Sequence, residues 1–198
     1  MPRTGQRGGP QTRARILEAA HGMFLERGYD AVTVAEIARE AGVSSVTVFN
    51  HFPRKEDLFL DRAEDALELL RSAVRDRAPG VDVLTSLHDL TVRFVDEEHP
   101  LSGLAEHAGP FFQTVAASPA LIARAREIGA ELQQTLVEEL GGDFEGDADL
   151  FAAFFIAGYT TVLTETARRL IAGDLRTSVA KDHRVRLDRV FDALRNGL

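Results

Sequence analysis

Residues 33–58, TVAEIAREAGVSSVTVFNHFPRKEDL, constrain this chain more than any other stretch. They predict two short helices joined by a tight turn, followed by the start of a third. Thr33 and Glu36 have the spacing of a capping box, in which the Thr hydroxyl accepts the amide three residues on and the Glu carboxylate reaches back. Ile37 and Ala38 give the first helix an inward face. Gly42 stands where a chain leaves a helix through a left-handed residue, which glycine does without steric cost. Ser44 is placed to cap the next helix. That helix, about residues 45–52, buries Val48 and Phe52, four apart on one face. Its other face carries Ser45, Thr47, Asn50 and His51. The pattern is a helix-turn-helix, whose second helix suits the DNA major groove.

The charge balance is acidic overall, −8 over 198 residues, but it is unevenly divided. Residues 1–55 hold eight basic side chains (Arg3, Arg7, Arg13, Arg15, Arg27, Arg39, Arg54, Lys55) and five acidic ones (Glu18, Glu26, Asp30, Glu36, Glu40). They therefore carry +3, and the rest of the chain −11. A small basic head on an acidic body directs one end toward phosphate and keeps the other away. The length suffices for one compact unit or two small ones. With no cysteine there is neither a disulfide framework nor a thiolate metal site. The N-terminus has no apolar signal core. The longest apolar run, residues 151–163, falls short of the ~20 residues a spanning helix needs. The expectation is a soluble, cytoplasmic protein with no membrane partner.

Hydrophobic periodicity predicts an all-α fold of about nine helices: a three-helix head on a helical bundle. Residues 1–11 are rich in Gly, Pro and Arg and are expected to be disordered; minor-groove or backbone contact by Arg3 or Arg7 is one use for such a tail. In a helix over residues 12–27, Ile16, Leu17, Ala20, Met23 and Phe24 make one buried stripe, and Gly28 stops it. After the helix-turn-helix, further helices are expected over residues 55–77, 81–98 and 101–116 (with a break at Gly109-Pro110), then 118–140 (capped by Ser118), 147–172 and 177–194. The domain reading is a basic tail over 1–11, a helix-turn-helix domain over 12–55, and a ligand-binding and dimerisation domain over 56–198.

Residues 12–60 resemble the DNA-binding domain of the TetR family of bacterial transcriptional regulators. The shared pattern reads here as Glu26-Arg27-Gly28-Tyr29, Thr33, Ala41-Gly42-Val43-Ser44, Thr47, Phe49, His51-Phe52 and Lys55-Glu56-Asp57-Leu58. The match covers about a quarter of the chain; beyond it only the number and order of helices agree. The resemblance implies roles residue by residue. Ser45 and Val46 occupy positions that face base edges. Asn50 lies nearby and can hydrogen-bond an adenine edge, whereas Val46 offers apolar contact such as to a thymine methyl. Thr33, Thr47, His51 and Lys55 match positions that meet phosphate, and phosphate contacts set register rather than sequence. Lys55, at the start of the expected fourth helix, would also profit from the free amides and dipole there. Ser44 completes the set as the cap of the reading helix. Two positions depart from the pattern: Phe49 replaces the usual Tyr, so a phosphate hydrogen bond from that hydroxyl is absent, and Arg54 replaces a capping Ser or Asn but can add a phosphate contact.

The body has two expected tasks. Over residues 147–172 the sequence is apolar on nearly all sides (Leu150, Phe151, Phe154, Phe155, Ile156, Tyr159, Val162, Leu163), which requires burial on more than one face. Leu187, Val190, Phe191 and Leu194 add a stripe at i, i+3, i+4, i+7. By resemblance these two helices form a homodimer interface, four helices packing as a bundle; filling the monomer core is the other use for them. The second task is an apolar effector pocket between the fifth and eighth helices. Its candidate lining combines bulk with polar tips: His88, Phe94, His107, Phe111, Phe112, Gln113, Phe155, Tyr159 and Thr160. The expected occupant is a hydrophobic or amphipathic small molecule that releases a repressor from a palindromic double-stranded operator.

An enzyme is the rival class. The chain has no His-x-x-x-His, no Gly-x-Ser-x-Gly, no phosphate-binding Gly loop and no Cys nucleophile. Glu98, His99, Glu106 and His107 are the one sequence cluster with metal-ligand chemistry. The reading is therefore no catalytic residues, no metal and no resident cofactor. A purely protein-binding helical module is the third class, separated from the first by a specific, salt-sensitive DNA complex.

Overall fold

The computed structural model describes residues 9–141 and 144–196, and every regular element among them is helical. The α-helices are α1 (Pro10–Arg27), α2 (Val34–Glu40), α3 (Ser45–His51), α4 (Ala63–Arg75), α5 (Val83–Asp96), α6 (Ala108–Ala117), α7 (Pro119–Leu140), α8 (Ala148–Ile171) and α9 (Arg176–Asn196). Short 3-10 turns occupy Glu56–Leu58 and Pro100–Ser102. The chain divides into two compact units. The first runs to Asp61 and includes residues 118–124; the second holds residues 62–117 and the chain from Ala125 on.

The first unit is built on caps and one small core. Pro10 and Gln11, expected in the tail, are helical: Pro10 opens α1, where the missing N–H is no loss and its φ is already helical. Arg3 and Arg7 lie outside the described residues. Ile16, Ala20 and Phe24 face inward from α1, Ile37 and Ala38 from α2, Val48 from α3, with Phe52 and Leu58 after it. The rings of Phe24, Tyr29 and Phe59 form a triangle with centroids 5.3, 5.7 and 5.9 Å apart. Gly42 has φ 66 between α2 and α3, and Val43 N–H returns to the Ala38 carbonyl at 2.9 Å, closing the helix end.

The helix expected from residue 55 is interrupted. A 3-10 turn covers Glu56–Leu58, and α4 starts only at Ala63. Leu58 is fully buried and Phe59 joins the aromatic triangle, so the chain bends to seat both. The sixth helix likewise starts late, at Ala108. Gly103 sits at φ 71 with the Phe112 ring against it, and Pro110 falls in the first turn of α6, where it breaks nothing.

The second unit packs Leu70 and Val74 (α4), Val83 and Leu87 (α5), Leu136 and Leu140 (α7), Ala152 and Phe155 (α8) and Phe191 (α9) into one core. α8 and α9 run antiparallel, as the pairs Thr166–His183 and Phe155–Phe191 show. They approach closely because Gly158 has no side chain: a Cβ there would lie 2.6 Å from Val190 Cγ1. Further along both helices the interior turns polar, with Thr166 and His183 buried and joined by a 2.8 Å hydrogen bond.

α8 corrects one expectation. Its 24 residues are long and apolar enough to cross a membrane, yet only 22 % of its most apolar stretch is buried within the chain. Asp149 and Thr160 are exposed, but Leu150, Phe154, Ala157, Thr161, Thr164, Arg168 and Ile171, exposed as well, form one series. Their alternating spacing of four and three is the seam of a helix that packs against another helix.

Candidate nucleic-acid interface

The helix-turn-helix is held by side chains that fix its ends. Thr33 Oγ1 accepts Glu36 N–H at 3.3 Å, and Glu36 Oε2 accepts both the Thr33 amide (2.9 Å) and the Thr33 hydroxyl (2.7 Å). Arg27 donates to Glu36 Oε1 at 2.8 Å and to the Ala31 carbonyl at 2.9 Å. These bonds, those from Thr33 foremost and then that from Arg27, hold the Glu36 carboxyl down at about 2, so the box stays intact throughout the neutral range. Ser44 Oγ accepts Thr47 N–H at 3.1 Å and lies 2.9 Å from Thr47 Oγ1. One cap of this type is worth about 1 kcal/mol.

With both ends fixed, α3 divides cleanly. Val48 and Phe52 are buried, and Arg13 lies 4.8 Å over the Phe52 ring. Val46, Phe49 and Asn50 project into solvent at i, i+3, i+4. Ser45, Thr47 and His51 are half-buried at its flanks. Of the base-edge candidates, Val46 and Asn50 thus share one face with Phe49, and Ser45 lies at its flank. Thr33 and Thr47 serve first as parts of caps, and the one hydroxyl proton of Thr33 already goes to Glu36 Oε2.

Lys55 stands differently from expectation. It does not open a long helix, and its Nζ donates to the Tyr29 carbonyl at 2.7 Å while lying 4.1 Å over the Tyr29 ring. Burial pushes its pKa down, against the pull of Asp30, Glu56 and Glu36. Lys55 therefore joins the loop after α1 to the turn after α3. Tyr29 OH donates to Glu56 at 3.1 Å. Burial foremost, then the Glu56 charge, raises the phenol pKa.

Arg54, which cannot cap, has its amide accepted by Asp57 at 3.2 Å. Asp57 also receives Arg124 Nε at 2.7 Å, both side chains being largely buried. This ion pair joins residues 67 apart in sequence, and no local pattern announces it.

Of the nine effector-pocket candidates, Phe111 lies beside Phe112 at 5.5 Å and Phe155 beside Tyr159 at 6.3 Å. Phe94 and Phe155 are core residues. Phe94 stacks on His99 at 4.6 Å, and Phe155 faces Phe191 at 5.8 Å. Tyr159 donates to the Leu101 carbonyl at 2.9 Å, Phe112 packs on Gly103, and His88 stands edge-on to Phe191 with Nε2 3.3 Å from Asp188. His107, Phe111, Gln113 and Thr160 lie at the surface of the single chain. Of the metal-type cluster, Glu98 pairs with Arg176 and His99 Nδ1 accepts the Leu101 amide. Among the described residues no three His, Cys, Asp or Glu side chains come together as a metal site.

Comparison with known proteins agrees with the geometry. The sequence profile described as bacterial regulatory proteins, tetR family, matches residues 16–61. The HTH-type transcriptional regulator YdeS of Bacillus subtilis is 35% identical over 88 residues, 43% of this chain and 41% of that protein. The HTH-type transcriptional repressor KstR2 of Mycobacterium tuberculosis is 39% identical over 64 residues, 32% of each chain. The chain thus spans less than half the length of these curated relatives. Among solved structures, Thermus thermophilus FadR, a TetR-family repressor in complex with lauroyl-CoA, aligns over 94% of both chains with a TM-score of 0.58 and 24% identity, a likeness of fold.

Proposed function

We propose, from the premise that this chain belongs to the TetR family of bacterial regulatory proteins, that it is a cytoplasmic, homodimeric repressor that binds a palindromic operator and is released by a hydrophobic or amphipathic small molecule. The observation that carries the DNA-binding part is the outward face of α3: Val46, Phe49 and Asn50 project from a helix fixed by Ser44 on one side and by Val48 and Phe52 on the other. Asn50 reads an adenine edge, with Ser45 and Val46 beside it. Thr33, Thr47, His51 and Lys55 meet phosphates and set the register. The profile match over residues 16–61 covers all of these positions.

Dimerisation rests on α8 and α9. The exposed seam from Leu150 to Ile171 has large apolar groups near its start and small ones in the middle. Thr161 and Thr164 return their hydroxyls to the Ala157 and Thr160 carbonyls at 2.8 Å, so their methyl groups face out. A second copy covering this seam explains why so apolar a helix is left half uncovered. Two heads then meet half-sites about one helical turn apart, ~34–36 Å, or a multiple of it. FadR, crystallised with lauroyl-CoA, supports a lipophilic effector for this fold. A thermal-shift screen of lipophilic compounds tests that part: a hit that also dissociates the DNA complex is expected, and stabilisation by none of a diverse set counts against it.

A further inference from the structure

α3 presents a more apolar face than a solvated helix requires. Val46 is 69% exposed and Phe49 48% exposed, one helical turn apart, with Asn50 adjoining both. Neither supports the core, which takes Val48 and Phe52 from this segment instead. Of the three outward side chains only Asn50 can hydrogen-bond a base edge. The other two can recognise only an apolar feature. The major groove offers one, the C5-methyl group of thymine, and 5-methylcytosine carries the same methyl at the same place.

We propose that Val46 and Phe49 form a methyl-reading patch that selects half-sites by pyrimidine C5-methyl groups next to the adenine met by Asn50. Phe49 thereby has a base-reading task. With no hydroxyl to give to a phosphate, the ring is free to lie against a methyl group, and desolvating both is favourable. This inference rests on the reading of the chain as a DNA-binding regulator. It adds that the protein reads the methyl group itself, so that cytosine methylation at the same position imitates thymine.

The test uses the full-length protein and a duplex selected from random DNA for specific binding. Each thymine is replaced in turn by deoxyuridine, which removes the methyl and leaves every hydrogen-bonding group in place. One or two thymines per half-site are expected to show about fourfold weaker binding, the equivalent of the ~0.8 kcal/mol of one buried methylene. 5-Methylcytosine placed there is expected to bind more tightly than cytosine by the same factor. Val46→Ala or Phe49→Ala should abolish the penalty at its own position while leaving the thermal midpoint unchanged, since both side chains are exposed. Specific binding that is indifferent to every deoxyuridine, or penalties unchanged in both variants, would overturn the methyl patch and leave the regulator reading standing. Absence of any sequence-specific complex would overturn both.

Discussion

The head and the body of this chain are made of the same element and obey different logic. In the head each short helix is fixed by its own neighbours in sequence: Thr33 with Glu36, Ser44 with Thr47, Arg54 with Asp57. Its outward residues on α3, Val46, Phe49 and Asn50, are the proposed readers of DNA. In the body the helices are long, and although Asp82 and Asp147 cap α5 and α8, order comes mainly from packing between segments far apart, such as Gly158 against Val190. Its exposed apolar residues mark an unfilled seam. Local rules thus govern the part proposed to present side chains to DNA, and tertiary rules the part proposed to pair and respond.

The largest expected effect lies on the body's seam. Phe154→Asp, at a half-exposed position of α8, should turn the dimer into a folded monomer by sedimentation. DNA affinity should fall roughly a hundredfold or more, because the second half-site no longer binds as an intramolecular event. A dimer that persists would move the interface away from α8.

Next is the polar interior between α8 and α9. His183 is 1% exposed, and its Nε2 has no hydrogen-bond partner. Burial pushes its pKa from 6.5 down to about 4, with Asp182 pulling up and Arg184 pushing down. The folded state therefore keeps the imidazole neutral where the unfolded chain protonates it. Stability from this group is full above about pH 6.5 and is lost as pH falls toward 4, by up to ~3 kcal/mol. Urea unfolding at pH 7 and pH 4.5 should show a smaller difference for His183→Leu than for the natural chain.

Gly158→Ala should cost about 1–3 kcal/mol through the clash with Val190, and Val190→Ala in the same chain should recover part of it. The smallest effect belongs to the head. Thr33→Ala removes the hydroxyl half of the capping box and should cost about 1 kcal/mol, with the loss confined to the head in hydrogen exchange. If the Gly158 change were silent and the Thr33 change unfolded the whole chain, the contrast between the two regions would be reversed.

The same contrast decides what was legible in the sequence. The caps at Thr33 and Ser44, the stop at Gly28, the turn at Gly42 and the inward set Ile16, Ala20, Phe24, Ile37, Val48 and Phe52 could all be read directly, because each depends on residues within one or two turns. The interruption after Leu58 could not, since it depends on Phe59 meeting Phe24 and Tyr29. For the same reason Lys55 reads as a helix-start cation, although its Nζ reaches a carbonyl 26 residues back. The α9 stripe is visible from Leu187 on, but it extends back through His183 and Val179, and a histidine at a core position gives no signal of its own. The apolar belt of α8 was plain; which half faces out is settled only by the packing of α9, α6 and the rest of the core on the other.

The most direct test of DNA reading by α3 is footprinting of DNA flanking the protein's own gene, across a salt series, with the natural chain, Asn50→Ala and Lys55→Ala. The expected result is a protected pseudo-palindrome with steep salt dependence. Asn50→Ala should lose ~1–3 kcal/mol mainly at one base position, and Lys55→Ala should weaken all sequences alike and lower the salt slope by about one per site. Protection without sequence preference, or two variants that behave alike, would contradict it.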